Sequence, residues 1–183
     1  MPSRLKRFQQ SGQTHFVTFC CYRRRESFTD PSAKRIFETA LERVRRSFQL
    51  CVYGYVFMSE HIHLLLSEPQ RATLADAIKS LKQGVSRRLI GDATHFWQQR
   101  YYDLNVRDDS QFVEKLRYIH RNPVQRGLCE HPEDWQWSSF RQHANGDEGR
   151  IEIESEWTAR KREREAGRLC PTQEFPHSSQ KKA

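Results

Sequence analysis

Two histidines stand two positions apart in His61-Ile62-His63, within a run of large apolar residues. Side chains two residues apart on a β-strand point to the same side, so both imidazoles would project from one face while Ile62 points to the other. Two adjacent imidazoles can hold one divalent cation and leave positions open for a third ligand and a substrate oxygen. The alternative is a pair of ordinary histidines on a solvated face, and the motif alone does not decide between the two.

A tyrosine and an asparagine, Tyr118 and Asn122, lie four residues apart in a segment with helical periodicity. Tyr118 lies off the apolar stripe and is expected at the edge of a cleft, and Asn122 shares its face if the helix persists that far. An amide carbonyl is a suitable ligand for Mg²⁺ or Mn²⁺. The alternative is a packing tyrosine and an asparagine that caps the helix.

The proline that follows Asn122 bears on whether Asn122 can serve as the third metal ligand. Pro123 is expected to end or kink the helix, because proline lacks the amide N–H and crowds the preceding turn. His120 or Asp103 could then take the place of Asn122.

Aromatic and basic residues interleave in two segments, Phe96 to Tyr102 and Trp135 to Arg141. Aromatic faces can stack on unpaired bases while arginines hold phosphates. The alternative is core packing, which we expect for at least two of the three tryptophans Trp97, Trp135 and Trp137. The residues predicted to contact DNA are Arg87, Arg88, Arg100, Arg107, Trp97 and Arg121.

Charge distribution agrees with a polyanionic partner. The 183-residue chain carries a formal net charge of +8, and the segment from residue 144 onward is balanced, with eight basic and eight acidic residues. Residues 1–143 therefore hold the whole excess, which attracts nucleic acid. No apolar run approaches the ~18 residues that span a bilayer. We expect a cytoplasmic, nucleoid-associated protein without a membrane partner.

The order of predicted elements is strand, helix, strand, strand, helix, strand, and a further helix. This order predicts an α+β fold of the ferredoxin-like split βαβ type, with an antiparallel sheet, helices on one face and an extra C-terminal helix or tail. Residues 1–143 form the predicted catalytic domain. Residues 144–183 are polar and charge-mixed, and we expect a mobile tail that adds little to the core and is not needed for chemistry.

In combination these motifs resemble the REP-associated tyrosine transposases, a branch of the single-tyrosine HUH transposases related to bacterial insertion sequences. The resemblance covers residues 14 to about 143, and the order and spacing of its motifs agree as well as their residues. The matching segments are His15-Phe-Val-Thr-Phe, Tyr55-Val-Phe-Met-Ser-Glu-His-Ile-His-Leu-Leu-Leu66, Trp97 through Arg107, Tyr118-Ile-His-Arg-Asn-Pro-Val-Gln-Arg-Gly-Leu128, and Asp134-Trp-Gln-Trp-Ser-Ser-Phe140.

The resemblance implies a Mg²⁺- or Mn²⁺-dependent endonuclease and strand transferase in DNA transposition. It assigns the metal to His61, His63 and Asn122 and the nucleophile, which forms a 5′-phosphotyrosine, to Tyr118. It further implies single-stranded DNA hairpins of the REP palindrome type as substrates, and a monomer, although insertion-sequence relatives are dimers. Tyr118 also stands out among the six tyrosines, since it alone lies on a predicted helix one turn from a candidate ligand.

Two other functions fit parts of the pattern. A module of RRM-like fold could bind single-stranded nucleic acid without cutting it, which would leave both histidines as surface residues. A zinc hydrolase could use His61, His63 and a carboxylate such as Asp103.

Overall fold

The computed structural model describes residues 13–90 and 95–169, and residues 170–183 of the predicted tail lie outside these ranges. Its centre is a four-stranded antiparallel sheet with the strand order β2-β3-β1-β4, which confirms the predicted α+β, ferredoxin-like fold. The strands are β1 (Thr14–Cys20), β2 (Val52–Phe57), β3 (His61–Ser67) and β4 (Tyr102–Val106).

Five α-helices accompany the sheet in the described part of the chain, with two short 3₁₀ turns at Tyr22–Arg24 and Pro132–Asp134. None of these helices is long and apolar enough to cross a membrane. The α-helices are α1 (Pro31–Phe48), α2 (Leu74–Ile90), α3 (Asp109–Gln125), α4 (Phe140–Asn145) and α5 (Glu156–Leu169).

Capping residues fix where the long helices begin. The Asp30 side chain accepts a hydrogen bond from the Ser32 amide at 2.8 Å ahead of α1. Thr73 and Asp76 cap the start of α2 reciprocally, since each side chain accepts from the backbone amide of the other residue. Asp108 caps α3 by accepting from the amide of Gln111.

Strand alternation divides the core into two layers. Ile62, Leu64 and Leu66 of β3 point to one face, where α1 and α2 cover them. Leu65 points to the other face, where it joins a smaller apolar cluster with Ile119 of α3. The first face carries the two helices of the split βαβ pattern, and α3 covers the second.

The sequence predicts that Pro123 ends or kinks α3, and the structure contradicts the first of these effects. The helix continues to Gln125, and Pro123 is buried inside it. The carbonyls of Asn122 and Pro123 still accept hydrogen bonds from the amides of Arg126 and Leu128. Proline removes only its own donor, so these bonds carry the helix one turn further and Asn122 keeps helical geometry.

The expectation that the chain beyond residue 144 adds little to the core is also wrong for its first part. Ile151 and Ile153 belong to the larger core cluster and are 0% and 3% exposed. The amide of Glu154 donates to the carbonyl of Val52, which ties this segment to β2. Trp157 packs on Gly146, and its indole N–H donates to the His143 carbonyl at 3.0 Å.

We therefore expect Ile151→Ala to lower the free energy of unfolding by about 2–5 kcal/mol, because it removes buried methylene groups and leaves a cavity. Urea unfolding followed by circular dichroism measures this. The matched control is Val113→Ala on the exposed side of α3, which should change stability by less than about 0.5 kcal/mol. Equal stability of Ile151→Ala and the parent chain would show that the segment is dispensable for folding.

Candidate active site

The two histidines of β3 lie side by side on the sheet face that α3 covers. The ring centroids of His61 and His63 are 4.8 Å apart, and the rings meet edge to face at 76°. Both residues are buried, with 3% and 5% of their surface exposed. The structure thus gives the predicted arrangement of two imidazoles on one side of a strand.

Neighbouring side chains orient both rings. Glu60 lies 2.8 Å from His61 Nδ1, and a carboxylate can only accept, so this nitrogen carries the proton. The Thr18 hydroxyl lies 2.7 Å from His63 Nδ1. In both rings Nδ1 is engaged by a neighbour, which leaves Nε2 as the nitrogen with a lone pair to offer, as in metal sites with an orienting outer shell.

Helix α3 brings Tyr118 and Asn122 to the same place. The Asn122 amide nitrogen donates to His63 Nε2 at 3.4 Å, and the Tyr118 ring lies 5.2 Å from the His63 ring, centroid to centroid. Asn122 is buried, and its carbonyl oxygen has no hydrogen-bond partner among the described residues. Tyr118, in contrast, is 41% exposed.

His61, His63 and Tyr118 line a cavity of about 320 Å³, and Asn122 lies behind His63 rather than in the cavity wall. Its wall includes three cations that the sequence analysis did not single out, Arg24, Lys115 and Arg126. Lys115 could have been found, because it precedes Tyr118 by three residues and shares its helix face. Nothing in the sequence signals Arg24 and Arg126, since they lie beyond the ends of β1 and α3 and meet only in the folded chain.

Burial keeps the two imidazoles neutral. Loss of solvent, together with smaller electrostatic effects of His61 and Arg126, lowers the pKa of His63 to about 3, although Glu60 opposes the shift. Burial also lowers the pKa of His61, although Glu60 opposes this shift. Burial alone would raise the pKa of Glu60, but its electrostatic interaction and hydrogen bond with the His61 ring, and a hydrogen bond from Ser59, outweigh burial and lower the pKa, so the carboxylate is ionised. Neutral imidazole is the form that binds a metal.

The residues present fit a hard divalent cation. Two imidazoles that can offer an Nε2 lone pair and one buried amide oxygen without a partner among the described residues form a donor set of mixed nitrogen and oxygen. A cation on His63 would displace the hydrogen bond that its Nε2 accepts from the Asn122 amide. No group of three histidine, cysteine, aspartate or glutamate side chains in metal-binding arrangement exists among the described residues. A third ligand from the described part of the chain would therefore be an amide, a hydroxyl or a backbone group.

The two substitute ligands lie elsewhere, so those alternatives are wrong. Asp103 pairs with Val17 in the β1–β4 register and points to the opposite face, where it binds His15 Nδ1 at 2.8 Å. A zinc hydrolase built on Asp103 and the two histidines is thereby contradicted. His120 points away from the cavity, and its Nε2 lies 2.9 Å from the Ser139 hydroxyl.

None of the six residues predicted to contact DNA is among those lining the cavity. Trp97 packs against Phe19 and Phe28 at the edge of the core, and its indole N–H donates to the Lys82 carbonyl at 2.9 Å. The five arginines are exposed on the surface, and their contact with DNA stays a prediction: Arg87, Arg88, Arg100, Arg107 and Arg121.

Comparison with known proteins agrees with this geometry. The family model described as "Transposase IS200 like" matches residues 8–122. A Haemophilus influenzae protein assigned as a REP-associated tyrosine transposase is 27% identical over 151 residues, which cover 75% of this chain and 85% of the relative. The REP-associated tyrosine transposase of Escherichia coli K12 is 23% identical over 140 residues, with coverages of 75% and 82%.

A solved structure shares the fold. A REP-associated tyrosine transposase bound to a REP hairpin superposes with a TM-score of 0.69 and 21% sequence identity, and the match covers 82% of this chain and 91% of that one. The resemblance inferred from the motifs is confirmed by these matches.

The buried histidines predict how stability depends on pH. Burial lowers the pKa of His120 to about 3, whereas an unfolded chain gives histidine about 6.5. Below pH 6.5 the unfolded state binds a proton at His120 that the folded state does not bind. The free energy of unfolding therefore decreases as the pH is lowered from 6.5 to about 3. His120→Asn should therefore reduce the loss of unfolding free energy between pH 7.5 and 5.5 by about 1.4 kcal/mol.

Urea titrations at the two pH values measure this difference. Ser139→Ala is the matched control, because it removes the same hydrogen bond but keeps the imidazole. It should be less stable than the parent chain at both pH values and show the same pH dependence. An unchanged pH dependence in His120→Asn would mean that this imidazole is protonated in the folded protein.

Proposed function

This chain belongs to the family of IS200-like transposases, and from that premise we propose that it cuts and rejoins single-stranded DNA, with Tyr118 as nucleophile and a divalent metal on His61, His63 and Asn122. One observation carries the proposal. An exposed tyrosine and two neutral imidazoles line one cavity together with three cations. Asn122 lies directly behind His63, and its amide oxygen has no partner among the described residues.

The reaction requires one bond to form and one to break at phosphorus. The Tyr118 oxygen attacks a phosphodiester, the new bond makes a 5′-phosphotyrosine, and the bond to the 3′ oxygen breaks. The phenolic proton is lost to water in the open cavity, and the leaving oxygen takes up a proton as a 3′-hydroxyl. The reverse attack by a 3′-hydroxyl rejoins the strand, because the phosphotyrosine conserves the bond.

The residues around Tyr118 address the main obstacle. A phenol has a pKa of about 10, so at neutral pH it is a poor nucleophile, and the attacked phosphate repels further negative charge. A Mg²⁺ or Mn²⁺ ion would supply charge neutralisation at a phosphate oxygen. Arg24, Lys115 and Arg126 line the same cavity and supply positive charge from the chain itself.

The proposed substrate is a short imperfect DNA hairpin with a single-stranded flank. Two relatives carry the name of REP-associated transposases, and the structural neighbour is bound to a REP hairpin. The stem would supply a fixed duplex for phosphate contacts, and the flank would supply the unpaired strand that a cavity of about 320 Å³ can admit. We propose that the chain acts as a monomer.

Tyr118→Phe removes one hydroxyl from an exposed ring, so fold and DNA binding should persist. The covalent protein–DNA adduct seen on denaturing gels after incubation with a hairpin and Mn²⁺ should disappear. Tyr102→Phe is the matched control, because Tyr102 is also exposed and lines the same cavity. It should still form the adduct. An adduct in Tyr118→Phe, or an adduct peptide that contains Tyr102, would refute the assignment of the nucleophile.

The paired substitution His61→Ala and His63→Ala should abolish Mn²⁺ binding, measured by calorimetry on the protein without DNA, and should abolish cleavage. Affinity for the hairpin should fall by much less, since it comes mainly from phosphate contacts. Asn122→Ala should be milder, because water can fill one position around a hard cation. His131→Ala, an exposed histidine outside the cavity, is the control. Cleavage by the double variant would exclude this metal site.

A further inference from the structure

A second and larger cavity, of about 750 Å³, lies between α2 and the segment 95–101. One wall is a stripe along α2 at helical spacing, in which the apolar Ala75 and Ile78 alternate with polar residues that include Lys79, Lys82 and Gln83. The catalytic proposal uses none of these residues. We call this cavity the α2 groove.

A half-buried lysine gives the α2 groove its charge. Lys82 Nζ donates to the Gln98 carbonyl at 2.7 Å, and burial lowers the pKa of this ammonium without an opposing carboxylate among the described residues. A cation that is partly desolvated and lacks a counter-ion is stabilised when an anion arrives. Lys79 lies one turn away on the same stripe and is exposed. The two ammonium groups could hold successive phosphates of one strand.

Tyr22 gives the α2 groove an aromatic face. Its ring lies 5.1 Å from the ring of His95 and 5.3 Å from the Arg23 guanidinium carbon, and the residue is half-buried. Trp97 also lines the groove, but several core rings pack around its indole. Tyr22 is therefore the better platform for an unpaired base.

The α2 groove and the catalytic cavity meet at one corner of the sheet. In the 3₁₀ turn after β1, Tyr22 lines the groove and Arg24 lines the catalytic cavity. At the start of β4, Tyr101 lines the groove and Tyr102 the catalytic cavity, because neighbouring residues of a strand point to opposite faces. A DNA strand that leaves the catalytic cavity over this edge of the sheet would enter the α2 groove.

We propose that the α2 groove binds unpaired nucleotides of the strand that is cut at Tyr118, with Lys79 and Lys82 on phosphates and a base stacked on Tyr22. This assignment rests on the proposed function and extends it with a second point of substrate contact. The Gln83 amide, exposed on the same stripe, can donate to and accept from a base edge.

Fluorescence anisotropy with a labelled oligothymidylate of about 15 nucleotides tests the groove, since this length exceeds one site on most single-strand-binding domains. The full chain is used with EDTA, so that no cleavage interferes. Loss of one phosphate contact should reduce the salt slope of log K by about 0.7 and weaken binding about fivefold at 0.1 M salt. We expect this for Lys82→Gln and for Lys79→Gln, whose exposed side chain carries no packing role.

Lys161→Gln removes the same charge from α5, outside the groove, and should retain the parent salt slope. Tyr22→Ala should weaken binding of the oligothymidylate about fivefold or more, yet leave an abasic oligomer of equal length unaffected. Equal losses for Lys82→Gln and Lys161→Gln, equal losses for both oligomers with Tyr22→Ala, or equal competition by blunt duplex would overturn the proposal.

The adduct assay separates this inference from the catalytic one. If the parent chain forms the adduct and both lysine variants bind oligothymidylate as the parent does, nucleotide binding in the α2 groove is contradicted and the catalytic proposal stands. If both lysine variants bind oligothymidylate more weakly but the parent chain forms no adduct, nucleotide binding in the α2 groove stands and the proposed cleavage reaction is contradicted.

Discussion

The packing of α3 against the second face of the sheet is the contact on which the active site depends. Ile119 is fully buried there with Phe16, Val56 and Leu65. A Cβ on Gly54 would come within 2.6 Å of Leu116 Cδ1, so the absence of a side chain at this position lets the helix approach β2 closely. That approach brings the Asn122 amide to 3.4 Å from His63. The burial of apolar side chains between α3 and the sheet thus sets the distance between Asn122 and His63, two polar residues that are not part of this apolar cluster.

A second anchor holds the same helix from its other side. His120 hydrogen-bonds to the Ser139 hydroxyl at 2.9 Å, and Ser139 in turn accepts from the amide of Tyr55 on β2. Tyr118 lines the cavity and Asn122 contacts His63, while Ile119 and His120 between them face the protein interior. In this helical segment, Ile119 and His120 hold the helix in place, and the residues on either side of them, Tyr118 and Asn122, belong to the candidate site. A rigid scaffold preorganises a site in this way.

Charge at the active site is arranged around one carboxylate. Glu60 accepts from His61 Nδ1 and lies 3.8 Å from Arg24 and 3.9 Å from Arg126. It orients the imidazole and offsets part of the charge of two cations that line the cavity. The ion pairs of Glu60 with Arg24 and Arg126 are long and partly exposed to solvent, so both arginines can exchange them for phosphate contacts. The shorter hydrogen bond between Glu60 and His61 fixes the orientation of the imidazole ring. The same residue thus contacts both the histidine pair that is proposed to hold a metal and the surface that would meet the nucleic acid.

The sequence by itself determined the elements, their order and which residues share a face at the candidate site. Period-two alternation placed His61 and His63 on one face, helical spacing placed Tyr118 and Asn122 together, and capping residues marked the helix starts, because each signal lies within a few residues of its effect. The tertiary structure alone decided which partners those residues meet. Asp103 faces His15 through strand register, Ile151 enters the core, and Arg24 joins Arg126 at the cavity, since these pairings bring together residues far apart in the chain and depend on how whole elements pack.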